Sequence, residues 1–350
     1  MSKRWVLTQV IIMIVIAIVV GSYTVRAKST SIFQYLPAIY KTYQAQTAKD
    51  CSAIQQQIDN LPAEGGLVSF SGIYICHTAI VIDRDNVELR GESSNAELIL
   101  AAGSNSPVLV LGDVSTPPAV THRNIVVRNL VIDGNRSQQQ YECWGGICDG
   151  GGLTYIRNNA ITVRALEDSL IEYVTLHSAR SGGLVTEKIV RRLTVKGLTS
   201  YDNYYDGVAA YQTENSIFTG LYLHNNPFAG MSLDIGFNNN LVSDAVMEFN
   251  GKQGIFMRDS MDNLFHGVQI RNSGEQGIFI AQVDLDANRP AAGNTFSGLV
   301  VSGSSQAGLR VNDPSCVNNL VVGAQFIGNS GGCISESVPG ILVSTGIICR

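Results

Sequence analysis

Four residues able to do acid–base or electrostatic chemistry, Glu187, Tyr211, Asp234 and Arg258, recur at intervals of 24, 23 and 24 positions. A pair of carboxylates can share glycoside hydrolysis, one protonating the leaving oxygen while the other activates water. A tyrosine between them and an arginine beside the second suit another chemistry. The guanidinium would neutralise a carboxylate on the substrate while tyrosine or a carboxylate moves a proton on carbon. The bland alternative is a solvated face whose Asp–Arg pair contributes little. Asp202, Tyr204, Tyr205 and Asp206 gather just ahead of Gly207, where they would edge the same surface. Lys252 would serve as a base if desolvated, and is otherwise an ordinary turn lysine.

Such spacing has meaning only if a repeating element holds these residues in line, and the chain contains one. Gly183, Gly207, Gly230, Gly254, Gly277 and Gly308 each open a short apolar run, at intervals of 24, 23, 24, 23 and 31. The long interval contains a polar Pro/Gly insertion at 283–293. Asn240, Asn263, Asn294 and Asn319 recur in step with the glycines. Runs of three to five residues leave no room for crossover helices. A unit this short buries its apolar residues only by coiling and stacking lap on lap. Equivalent asparagines would then hydrogen-bond from lap to lap, and the glycines would supply positive φ at corners.

Strand alternation places the first and third residues after each glycine inside, and the second and fourth toward solvent. Glu187, Tyr211, Asp234 and Arg258 then form one row. Laps ~4.8 Å apart put the two carboxylates ~10 Å apart at the backbone, near the separation of inverting hydrolysis. Phe256 and Phe279 fall outside on adjacent laps. They could stack a sugar ring, though such pairs are more often covered by a loop, and the 283–293 insertion is close enough. The stretch Gln138 to Cys148 carries Tyr141 and Trp144 on a loop that Cys143 and Cys148 would staple, either a binding excursion or a surface loop without a ligand.

The chain resembles the pectate-lyase-like superfamily of right-handed parallel β-helices over about residues 48–350. The motifs are Gly65-Gly66-Leu-Val-Ser-Phe-Ser-Gly-Ile-Tyr74, Leu89-Arg-Gly91 and Asp133-Gly-Asn-Arg136. The segment Tyr201-Asp-Asn-Tyr-Tyr-Asp-Gly207 is most similar to mannuronan epimerase modules. The resemblance implies an all-β solenoid with an N-terminal capping helix, here expected from Asp50 as N-cap to Pro62. It also implies action on a polysaccharide, uronates included, by lyase, hydrolase or C5-epimerase chemistry. The catalytic signatures do not carry over. Phe228-Ala229 replaces the basic residue of the epimerase repeats, and Asp-Pro-His-Asp, Gly-His-Gly and Arg-Ile-Lys are absent. A non-catalytic glycan-binding or structural surface protein is therefore the alternative.

Composition sets the remaining bounds. A net charge of −5 gives no footprint for nucleic acid. Residues 1–27 read as a signal peptide or an uncleaved anchor, the only part expected to touch a membrane. Residues 28–46 read as a linker and 47–350 as the β-helix, secreted or held at the cell surface. Seven cysteines suit an oxidising compartment. Cys51 and Cys76 would tie the helix to an early strand. Two of Cys316, Cys333 and Cys349 would bond and leave one thiol. His177, His224 and His266 show no metal spacing. Asp284-Leu-Asp-Ala-Asn288 is a fragment of a calcium loop, so no cofactor is expected beyond a Ca2+ ion there.

Overall fold

The computed structural model describes residues 48–143, 156–284 and 286–350. The expected N-terminal segment 1–27 and linker 28–46, together with Trp144 and Cys148, lie outside the described residues. Among those described, no helix is long and apolar enough to cross a membrane.

Among the described residues the one α-helix, Ser52–Asp59, eight residues long, turns Ile54 and Ile58 into the core, one helical turn apart. Its N-cap is Cys51 rather than Asp50, and Cys51 is held by a disulfide to Cys76 in strand Ile73–Cys76. Asp50 still contributes, its carboxylate accepting the Ser52 N–H at 2.7 Å.

The rest is a parallel coil. One face is a twelve-stranded sheet in which each neighbour lies one lap further along the chain, from Lys49–Asp50 to Ile348–Cys349. A second face carries the strands that follow the repeated glycines: β1 (Ile161–Glu172), β2 (Leu184–Lys196), β3 (Val208–Glu214), β4 (Met231–Asn238), β5 (Ile255–Arg258) and β6 (Ile278–Val283). Their register runs Leu184, Val208, Met231, Ile255, Ile278, Leu309, so the laps are in step. Inside, one continuous apolar core runs from Cys51 to Leu342, with Phe218, Phe237, Phe265, Phe296 and Phe326 fully buried.

The glycine column has a different cause from the one its sequence suggests. None of its six members has positive φ. A Cβ on Gly207 would sit 2.8 Å from the carbonyl oxygen of Gly230, and one on Gly254 would sit 2.9 Å from that of Gly277. The glycines let successive laps approach. Left-handed φ falls instead on the residue after the fourth position in five successive laps: Ala165 (43°), Lys188 (59°), Gln212 (48°), Ile235 (53°) and Asp259 (45°). There the strands turn a corner, and pairing skips between Tyr211 and Thr213.

The asparagine column behaves as its spacing predicts. Asn240 Nδ2 donates to Asn263 Oδ1 at 3.2 Å, Asn263 to Asn294 at 2.8 Å and Asn294 to Asn319 at 3.0 Å. A second column, Asn203, Asn226 and Asn250, does the same at another corner, with donor–acceptor distances of 3.0 and 3.1 Å.

Candidate functional site

Because β2 to β5 stay in register up to the corner, they present two outward columns. The second positions form a floor of Val185, Ala209 and Ser232, rising to Phe256 and Phe279. The fourth positions form one wall, which gains a member that the glycine alignment missed. Arg164 on β1 pairs in register with Glu187. Its lap opens on Ala160 instead of glycine, so an alignment begun at Gly183 stops one lap short. Only the 23-residue step back from Glu187 marks it.

These columns do not lie open to solvent as strand alternation predicts. Glu187 and Asp234 are only 7% and 4% exposed. The reason is that the face is walled on both sides. Arg164 donates to Val114 O, Ser115 O and Thr116 Oγ1 of the loop beyond the corner. Its Nε faces Glu187 Oε1 at 3.0 Å. Burial pushes the Glu187 carboxyl up, and Arg164 opposes the rise. Asp234 is clamped by Arg258, whose Nε donates at 3.0 Å, and it also accepts the Ile235 N–H at 2.8 Å. Arg258 donates further to Asp284 at 3.2 Å. Both carboxylates of the expected row are thus engaged by arginine, and Arg258 is spent on its neighbours.

The opposite wall is a run of rings and cations on the turns ahead of the glycines. Arg180 stands 4.4 Å from the ring centre of Tyr204. Tyr204, Tyr205 and Phe228 follow edge to face at 4.9 Å each. The Lys252 ammonium lies 4.2 Å from the centre of Phe228, an attractive placement for a half-desolvated cation. Lys252, a basic residue of the next lap, thus stands over the side chain at 228.

Between the walls, Glu187, Tyr205, Asp206, Tyr211 and Phe228 line a cavity of about 260 Å³. Arg157 and Asn159, which the spacing did not mark, complete it. Asp206 and Phe228 also border a second cavity of about 430 Å³ with Lys252, Phe256 and Phe279. Asp206 accepts the Ala229 N–H at 2.8 Å. Desolvation raises its pKa to about 7, against the opposing pull of that N–H and of Lys252. Desolvation and the charges of Asp206 and Asp234 keep the Tyr211 hydroxyl protonated well above the usual tyrosine range. The Tyr205 hydroxyl donates to Glu142 at 3.3 Å, and Glu142 also pairs with Arg157.

The structure thus gathers Glu187, Tyr205, Asp206, Tyr211, Lys252 and Phe256 along one groove, with Asp234 and Arg258 in its wall. Phe256 and Phe279 are stacked at 5.6 Å and line a recess. The 283–293 insertion does not cover them. It folds back as a hairpin on the end of β6, with Arg289 held by Asp259. Tyr141 is 50% exposed and lines neither cavity. Cys143 is disulfide-bonded.

In the stretch Asp284 to Asn288, Asp284 accepts from Arg258 and Asp286 accepts from Asn288, and among the described residues no group of three acidic or histidine donors gathers there. His177 does meet other donor groups, on the twelve-stranded sheet away from the groove. Donor atoms of Glu97, Asp133 and His177 lie within 4.8 Å of one another. Residues so far apart in sequence show no metal spacing. In the same column His177, Tyr201 and His224 stack at 5.2 and 4.9 Å.

Residues 123–284 and 187–345 match the family model described as a right handed beta helix region. No curated protein sequence matches the chain. Among solved structures, the Azotobacter vinelandii mannuronan C-5 epimerase AlgE4 A-module is similar at 16% identity and a TM-score of 0.54, over 85% of this chain and 96% of that one. The N-terminal fragment of bacteriophage Phi29 gene product 12 gives 15% and 0.64, over 88% of this chain and 56% of that one. The catalytic domain of a GH87 alpha-1,3-glucanase gives 7% and 0.54, over 87% and 68%. At these identities the likeness is one of fold.

Proposed function

Since the chain belongs to the right-handed β-helix family, whose long flat faces suit linear polymers, we propose that it is an extracellular enzyme acting on a uronate-containing polysaccharide, by taking the proton from C5 of a uronate residue. The observation that carries this is Asp206, a carboxyl with a pKa near 7 at the junction of two cavities, sharing one with Tyr211 and the other with Lys252. A carboxyl so tuned is half ionised at neutral pH and suits proton transfer.

In this mechanism Lys252 faces the sugar carboxylate, and Asp206 in its ionised form accepts the C5 proton. The C–H electron pair moves into the carboxylate, where the ammonium stabilises the added charge. From that intermediate two outcomes balance. In elimination the electrons return to form a C4–C5 double bond, the C4–O bond breaks, and Tyr211 protonates the departing oxygen. In epimerisation Tyr211 returns a proton to C5 from the opposite side. Glu187 and Asp234, each clamped by arginine, hold the wall. The named activity of the AlgE4 module, a mannuronan C-5 epimerase, supports this chemistry for a chain of this fold.

A second proposal is non-catalytic glycan binding at a cell surface. It is favoured by the absent Asp-Pro-His-Asp motif and by the engagement of both wall carboxylates with arginine. Incubation with uronate and neutral polysaccharides separates the two, with unsaturated products, reducing ends and C5 configuration followed together. Turnover of a uronate polymer that disappears in Asp206→Asn is expected. Binding without any product would establish the second proposal.

A further inference from the structure

The groove continues past Asp206. The recess of Lys252, Phe256 and Phe279 shares Gln276 with a third cavity of about 270 Å³, bordered by Gln306 and Arg310. The strands beneath run in register from Ile161 to Ile334. Eight laps at ~4.8 Å give the face a length of roughly 34 Å. Asp206 therefore has groove on both sides.

The far section has its own chemistry. Gln253 and Gln276 are 7% and 6% exposed. Gln253 Nε2 donates to Gln276 Oε1 at 3.1 Å and to Glu275 at 2.6 Å, and Gln276 Nε2 donates to Gln306 Oε1 at 2.5 Å. The donors all point one way along the coil. The asparagine columns differ, because their amides also bond backbone carbonyls, as Asn263 does to Phe237 O at 2.8 Å, and so close the turns. Among the described residues the glutamine amides bond only side chains, so no turn there depends on them. Beside this strip Phe256 and Phe279 lie parallel, tilted by 8°. Lys252 stands at one end and Arg310 at the other. Neither forms an ion pair among the described residues. Arg310 bonds Asn312.

We propose that the section from Lys252 to Arg310 is a second binding site, which holds the continuation of a linear glycan on one side of Asp206. The glutamine amides bond sugar hydroxyls and the phenyl rings meet C–H faces. The proposal rests on the polysaccharide reading above for its ligand class, but not on turnover.

The test uses the full chain with Asp206→Asn, so that no probe is consumed, and adds Phe279→Ala or Gln306→Ala. Gln306 is exposed, so its replacement leaves the fold intact, as a melting curve would verify. Short and long oligomers of polymannuronate, and of a neutral β-glucan, are titrated by calorimetry. Each added replacement is expected to weaken binding of long oligomers roughly tenfold while leaving short ones unchanged. Equal losses for short and long oligomers, no loss for either, or no binding of any long oligomer would overturn the proposal. Length-dependent binding by a protein whose Asp206 form shows no turnover would instead remove the catalytic reading and keep this one.

Discussion

Arg164 Nε faces Glu187 Oε1 at 3.0 Å across one lap, with side chains 1% and 9% exposed. This pair fixes the wall of the groove to the loop at 114–116, because three further N–H donors of the same guanidinium are taken by that loop. Arg164→Ala leaves Glu187 buried without its partner and is expected to cost about 3–5 kcal/mol. Joint replacement by Arg164→Met and Glu187→Leu should recover most of that loss. Denaturant midpoints of the three proteins check it.

Asp206 sets the pH behaviour. Its carboxyl titrates near 7 in the folded chain, against 3.8 for the ordinary side chain. Between those values the folded chain holds a proton that the unfolded chain has released. This group therefore favours folding at low pH, and its contribution is lost as pH rises through about 7. Asp206→Asn should remove that part of the stability–pH curve, leaving the variant relatively more stable above pH 7. If Asp206 is the base, kcat/KM rises with pH through about 7 in the wild type, and turnover is lost in the variant. Melting curves and rates across the same pH series check both.

The coil's repeat positions are expected to be intolerant for two distinct reasons. In Gly254→Ala the new methyl would lie 2.9 Å from the Gly277 carbonyl oxygen and 2.4 Å from Ile270 Cγ2. Forced repacking of this kind costs about 1–3 kcal/mol. Asn263→Ala removes bonds to Phe237 O and Asn294 and the acceptor for the Asn240 N–H. Leaving such buried groups unpaired costs about 1–3 kcal/mol each. Thermal unfolding of the two variants should show both losses, with the larger for Asn263→Ala.

Cys316 is the free cysteine among the described residues and is fully buried, while Cys333 and Cys349 are bonded. Burial also pushes its thiol pKa up, which suppresses the reactive thiolate. A thiol reagent should leave Cys316 unmodified in the native protein and label it once the chain is unfolded, as peptide mapping would show.

Much of the molecule is legible in its residues because a coil writes its geometry into sequence at one fixed period. The glycine and asparagine spacings locate the laps, and the 31-residue interval locates the hairpin at 283–293. The bond of Cys51 to Cys76 follows from the helix and strand they join. The fourth-position column is legible for the same reason, since each lap repeats the direction of its side chains.

What period alone does not carry is what surrounds that column. Burial of Glu187 depends on a loop more than 60 residues earlier in the chain, and its partner Arg164 sits on a lap without the marking glycine. The pKa of Asp206 depends on rings and a lysine from neighbouring turns. The glycines, too, owe their place to carbonyl oxygens one lap away and not to their own φ. Sequence determined the laps and the direction of each side chain, because both are local. Which carboxyl is clamped and which stays free to titrate was decided by contacts between laps, and only tertiary structure sets desolvation and charge pairing.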